Sequence, residues 1–142
     1  VLVEDTPKTK AGESFPDSVV IRLRQADHPY VSRGALKLIA ALDQFKIDTQ
    51  KKTGLDIGAS TGGFTQVLLE RGIEKVFALD VGHNQLDWKI RSDPRVVVIE
   101  KVNARSLSFE VISQTVDVIV VDVSFISLDK ILGSLIQFMT PS

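Results

Sequence analysis

Residues 55–64 read LDIGASTGGF. An apolar run with one carboxylate gives way to three glycines and then to a phenylalanine. This marks a strand ending at a tight turn that opens a helix. Gly58, Gly62 and Gly63 let the backbone turn sharply and let its N–H groups come close to a ligand. The spacing is G-x-x-x-G-G. A dinucleotide fingerprint is excluded, because Ala59 and Ser60 stand where its second glycine belongs. A phosphate-binding P-loop is excluded as well, because no Gly-Lys-Ser/Thr follows.

Strands and helices alternate outward from this turn. The pattern predicts strands over residues 54–59, 75–81, 95–101 and 116–123. It predicts helices over 33–45, 63–71, 85–91 and 127–139, with a short one over 109–113. The last strand, VDVIVVDV, is almost continuously apolar. That suits a strand covered on both faces of a parallel sheet. Strand–helix alternation at this spacing builds βαβ units, hence a doubly wound α/β domain. Leu128, Ile131, Leu132, Leu135, Ile136 and Met139 form one apolar face of the final helix. Trp88, with Leu86 and Ile90, is expected to pack in the core or on a helix surface. Ahead of the alternating region, residues 1–4 and 18–24 read as short strands, and 25–32 reads as a linker. The chain ends at residue 142, directly after a helix, where a further strand is expected. The sequence therefore reads as a stretch of a longer protein, cut at both ends.

Composition narrows the function. The 142 residues carry 17 Lys+Arg against 18 Asp+Glu, and 44% are hydrophobic. Ordinary globular usage of this kind excludes a disordered or collagen-like chain. The absence of cysteine excludes a disulfide scaffold, a cysteine zinc site and a thiol nucleophile. Two histidines, His28 and His83, do not make a His-rich metal site, and both are expected in turns. No apolar run reaches the length of about 18 residues that a membrane helix needs. No signal peptide appears, so the cytoplasm is the expected compartment. Charge is uneven, however: residues 21–52 hold seven cations against three carboxylates. A basic front on an acidic body fits a surface that faces RNA.

Individual residues carry the chemistry. Asp56, two residues before Gly58, with the looser glycine spacing, resembles the first motif of S-adenosylmethionine-dependent methyltransferases. That resemblance implies cofactor contacts along Asp56, Gly58, Ala59, Ser60, Thr61, Gly62, Gly63 and Phe64. Asp80 lies 18 residues after Gly62, at the end of the next strand, where a carboxylate accepts both ribose hydroxyls of an adenosine. Val81 and Val102 offer apolar walls, and Asn103 offers an adenine edge one acceptor and two donors. Asp122 emerges at the carboxyl end of the most apolar strand, where it requires a cation nearby. The following VSFISL is not the Asn/Asp-Pro-Pro-aromatic segment of amino-group methyltransferases, which disfavours a base nitrogen as acceptor. Arg33 and Lys37 are like charges one helical turn apart, a slightly destabilising pair that points to an external reason, such as RNA phosphate or a carboxylate partner.

Five stretches in order, HPYVSRGALKL (28–38), LDIGASTGGFT (55–65), DVG (80–82), NAR (103–105) and VVDVSFISL (120–128), together resemble the TlyA-type proteins. These are hemolysin-like ribosomal RNA methyltransferases with an FtsJ-like catalytic domain. The resemblance implies a Rossmann-like methyltransferase fold over residues 33–142, with S-adenosylmethionine as methyl donor. The implied acceptor is a ribose 2′-hydroxyl of ribosomal RNA, free or in a ribosomal subunit, with neither membrane nor metal involved. Residues 1–24 then correspond to the tail of an N-terminal RNA-binding domain of the ribosomal protein S-four type. FtsJ-like enzymes use a Lys-Asp-Lys-Glu set, in which Lys37 matches the first lysine and Asp122 the aspartate. The second lysine and the glutamate fall beyond residue 142, which implies that this chain by itself is inactive. A non-catalytic RNA- or nucleotide-binding protein with the same fold is the alternative. A membrane-active hemolysin and a nicotinamide dehydrogenase fit the residues less well.

Overall fold

A computed structural model describes residues 1–10, 12–22, 28–124 and 127–141. Its centre is a four-stranded sheet. β4 (Thr53–Ile57) lies between β5 (Lys75–Asp80) and β7 (Val118–Val121), and β6 (Val96–Glu100) forms the far edge beside β5. All three pairings are parallel, with Ile57 opposite Leu79 on one side and Val121 on the other. The order β6-β5-β4-β7 reverses direction between β4 and β7. In an open α/β sheet that reversal places a crevice outside the carboxyl ends of those two strands.

Three helices surround this crevice or brace it. α1 (Gly34–Phe45) and α2 (Gly63–Glu70) pack together on one face through Ala35, Leu38, Leu42, Val67 and Leu68, all buried. α4 (Asp129–Leu135) covers the other face, continued by a 3₁₀ turn over Ile136–Phe138. There Ile131, Leu135 and Phe138 join Leu55, Ile57, Ile112 and Val116 in a second core cluster. Both sheet faces are thus covered, which is why the strands read as nearly unbroken apolar runs. Before the sheet, β1 (Leu2–Val3), β2 (Thr6–Pro7) and β3 (Ile21–Arg22) make a small antiparallel sheet in the order β2-β1-β3.

Several expectations need correction. The helix over 85–91 shrinks to α3 (Trp88–Arg91), because Asp87 caps it, its carboxylate accepting from the Lys89 N–H at 2.9 Å. The helix over 109–113 is a turn, and the helical piece here is a 3₁₀ turn over Ala104–Ser106 that Asn103 caps. Of the two places expected for Trp88, the surface of α3 holds and the core does not, since the residue is 70% exposed; Leu86 and Ile90 are buried under Gly62. Of the apolar face on the final helix, only Ile131 and Leu135 are buried. β2 was not expected, since Thr6–Pro7 carries no apolar alternation. The end of the strand over 18–24 and the first part of the 25–32 linker lie outside the described residues.

Candidate functional site

The crevice is built at the glycine turn. The Gly58 and Ala59 N–H groups both donate to the Leu79 carbonyl, at 2.9 and 3.0 Å, which ties the turn to β5. Gly58 has φ +83°, and a Cβ there would stand 2.6 Å from the Asp122 carbonyl oxygen. Only glycine allows β4 and the segment after β7 to approach this closely. Gly62 has φ +99° and leaves room for Leu86 and Ile90.

Two open cavities meet above this turn. The larger, about 530 Å³, runs from Gly58 and Ser60 past Asp80, Val81 and Gln85 to Asn103, Ala104 and Arg105. The second, about 360 Å³, is walled by Ser32, Arg33, Gly34 and Lys37 of the α1 region and by Ala59, Gly63 and Phe64. Gly58, Ser60, Asp122 and Ser124 line both. Asp122 therefore stands at the junction, where its two carboxylate oxygens each accept from the Lys37 ammonium at 3.1 Å. Lys37 is the cation that a carboxylate at this strand end requires. The pair lies 85 residues apart in sequence, and both side chains keep substantial solvent exposure.

Asp80 organises the larger cavity. One carboxylate oxygen accepts from the Ser60 N–H at 2.8 Å, the other from the Gly82 N–H at 2.7 Å. The side chain thus joins the glycine turn to the loop after β5 and keeps unused lone pairs toward the cavity. Asn103 accepts the Arg105 N–H on its side-chain oxygen at 3.0 Å, which turns one lone pair of that oxygen inward and leaves the NH₂ donors and the second lone pair for a ligand. Nearby, Glu100 gathers the Asn84 N–H, the His83 ring at 2.8 Å and the Arg91 guanidinium. Burial pushes the Glu100 carboxyl up, but these three partners outweigh it and hold the group below its ordinary range.

Asp56, Thr61, Gly62 and Val102 line neither cavity. Asp56 is fully buried, and its carboxylate accepts from the Thr65 hydroxyl at 2.7 Å. Burial is the largest influence and pushes its pKa up to about 7, against the pull of the Thr65 bonds and with added repulsion from Asp122 and Asp80. Sequence reasoning missed Ser32, Ser124, Gln85 and Arg105. The two serines stand inside the HPYVSRGALKL and VVDVSFISL stretches, but a lone serine gives no sign of which way it faces. Among the described residues no group of three His, Cys, Asp or Glu side chains is placed to hold a metal, and no helix is long and apolar enough to cross a membrane.

A model of the FtsJ-like methyltransferase family matches residues 30–140, a stretch that contains the whole crevice. The chain belongs to the FtsJ-like methyltransferase family. The TlyA protein of Mycobacterium tuberculosis, a 16S/23S rRNA (cytidine-2′-O)-methyltransferase, is 46% identical over 137 residues, covering 96% of this chain and 51% of the relative. Hemolysin A of Brachyspira hyodysenteriae is 55% identical over 132 residues, covering 92% and 55%. The solved structure of a candidate hemolysin from Streptococcus thermophilus superposes with a TM-score of 0.79 at 42% identity, covering 96% of this chain and 48% of that one. The chain thus spans about half the length of the curated relatives it matches. The FtsJ-like domain brings with it the S-adenosylmethionine-dependent methyltransferase fold.

Proposed function

We propose that this chain supplies the cofactor site, and part of the catalytic site, of an S-adenosylmethionine-dependent methyltransferase that modifies a ribose 2′-hydroxyl of ribosomal RNA. The observation that carries this reading is Asp122, paired with Lys37 at the junction of two cavities. One cavity has the features an adenosine needs: a ribose-facing carboxylate at Asp80, an apolar wall at Val81, donors at Asn103 and close backbone at Gly58. The other has cations, Arg33 and Lys37, facing the place where an RNA acceptor would lie. The TlyA protein that this chain resembles carries the same activity in its name.

S-adenosylmethionine, when bound, supplies an electrophilic methyl group on a sulfonium. The residues of this chain align the partners of that in-line transfer. Asp122 fixes the Lys37 ammonium by two bonds, so that Lys37 meets the acceptor ribose or its phosphate in one position. The Asp122 carboxylate also places negative charge at the wall shared by donor and acceptor, where a cationic donor group is favoured. By the resemblance, the base that removes the 2′-hydroxyl proton is the second lysine of the family's set. We also assign residues 1–24 to the tail of an S-four-like RNA-binding domain and 33–142 to the methyltransferase domain, joined by a linker over 25–32.

Calorimetric titration of this chain with S-adenosylmethionine, with NAD as control, tests the cofactor assignment. Micromolar binding of the first and none of the second is expected. Transfer of labelled methyl to ribosomal RNA by the whole protein, with digestion to the modified nucleoside, tests the acceptor. A methyl group found on a base instead of the ribose refutes it.

A further inference from the structure

Three carboxylates end three neighbouring strands. Asp80 closes β5, Asp122 follows β7, and Asp56 sits near the end of β4 between them. In register, Asp56 is flanked by Ala78 on β5 and Val120 on β7, both buried. From α2 it meets the uncharged Thr65, whose hydroxyl takes one carboxyl oxygen at 2.7 Å. The other oxygen, Oδ1, is buried with no partner among the described residues. The charges that act on it are Asp80 from the β5 side and Asp122 from the β7 side. Lys37 of α1, a cation bonded to this trio, is held by Asp122 and not by Asp56.

A fully buried carboxyl between two carboxylates, with a single hydroxyl donor, holds its proton to a higher pH than a solvated aspartate does. Packing does not call for it, since an apolar residue would fill the same space between Ala78 and Val120 at lower cost. What does bear on it is charge in the cavity that its chain neighbours Ile57 and Gly58 line together with Asp80 and Asp122. A cation in that cavity, between Asp80 and Asp122, offsets their field and favours the ionised form of Asp56.

We infer that Asp56 is a positioning residue that releases its proton when a cationic ligand occupies the cavity between Asp80 and Asp122. This rests on the reading of that cavity as the S-adenosylmethionine site. The Asp56 O–H bond breaks, the electron pair stays on the carboxylate and the proton passes to bulk solvent; nothing is oxidised or reduced. By linkage, affinity for the sulfonium rises with pH across the Asp56 titration. The demethylated product, S-adenosylhomocysteine, is a neutral thioether at that sulfur. It gives a weaker proton release and a flatter pH profile, so the site distinguishes donor from product by charge.

The test is calorimetry of this chain near neutral pH in phosphate and in Tris, whose ionisation enthalpies differ widely. With S-adenosylmethionine the wild type is expected to release a substantial fraction of one proton, and with S-adenosylhomocysteine less. Asp56→Asn keeps an acceptor for Thr65 and is expected to bind with no proton release and with an affinity independent of pH. Thr65→Val removes the bond that stabilises the carboxylate, and is expected to move the pH step in wild-type affinity upward by on the order of one unit. Binding with equal enthalpy in both buffers, or an equal proton count in wild type and Asp56→Asn, overturns the inference while leaving the cofactor site intact. An absence of any binding, in wild type and both variants alike, overturns the cofactor site itself and this inference with it.

Discussion

Asp56→Asn reports on folding without any ligand. In the unfolded chain an aspartate releases its proton near its ordinary value of 3.8, whereas in the fold Asp56 holds it to about 7. Between those values the folded state binds more protons than the unfolded state. Raising the pH therefore destabilises the wild type across this window, and the full stability contribution is present only below it. A displacement of about three pK units corresponds to about 4 kcal/mol in total, of which about 2–3 kcal/mol falls between about pH 5 and about pH 8. The asparagine cannot ionise, so it lacks this slope. Urea unfolding of both proteins at a series of pH values should show the variant gaining on the wild type by about 2–3 kcal/mol, or about 5–10 °C in melting temperature. The gap should open above about pH 4, with about 1–2 kcal/mol of it present by about pH 5. Parallel curves would show that Asp56 is ionised in the fold with a cation or water satisfying it, and would refute the reasoning.

Gly58→Ala should cost about 2–4 kcal/mol, since it adds a positive-φ penalty to a clash with the Asp122 backbone carbonyl; a loss below about 1 kcal/mol in urea unfolding would show that the segment after β7 yields. In the whole protein, Asp122→Ala should abolish methyl transfer while shifting stability by less than about 1 kcal/mol, because the Lys37 pair is largely solvent-exposed. Retained turnover sinks its catalytic assignment. Asp80→Ala should remove cofactor binding measured by calorimetry and also free the Ser60 and Gly82 N–H groups, seen as faster amide exchange at both. Phe138→Ala, a fully buried ring packed at a tilt against Phe109 with centroids 4.7 Å apart, should cost about 3–5 kcal/mol on thermal or urea unfolding.

The parallel sheet was legible because both its faces are covered. The strand from Val118 to Val121 announces itself as an unbroken apolar run. The same covering hides which face a strand residue points to, since there is no polar alternation to read. The resemblance alone placed Asp56 among the cofactor contacts, and only the fold shows its side chain buried against Thr65. Local capping decided the other departures. Asp87 starts α3 later than the periodicity indicates, and Asn103 forms a 3₁₀ turn where no helix was expected. The choice for Trp88 between core and helix surface stayed open, because an exposed indole on a short helix has the same local spacing as a buried one. The pairing of Lys37 with Asp122 spans 85 residues, and no local pattern records it. What the sequence does carry is the requirement: a carboxylate emerging at the carboxyl end of a buried strand needs a cation.

The position of Lys37 is set by the packing of α1 on α2, as much as by its bond to Asp122. The segment before α1 is tied to α2 by the Val31 N–H, which donates to the Gln66 side chain at 2.9 Å. Leu38 and Leu42 bury the inner face of α1 in the same cluster as Val67 and Leu68. The N-terminus of α2 is in turn the end of the glycine turn, which hangs from the Leu79 carbonyl and the Asp80 carboxylate of β5. Acceptor-side and donor-side groups therefore share one rigid path through α2. A loss of packing at Leu42 should for that reason lower cofactor affinity and misplace Lys37 together, whereas loss of the Lys37 side chain leaves the glycine turn in place and acts through Asp122, which lines both cavities. Leu42→Ala that left S-adenosylmethionine binding unchanged while displacing Lys37 would show that α1 moves independently of the glycine turn.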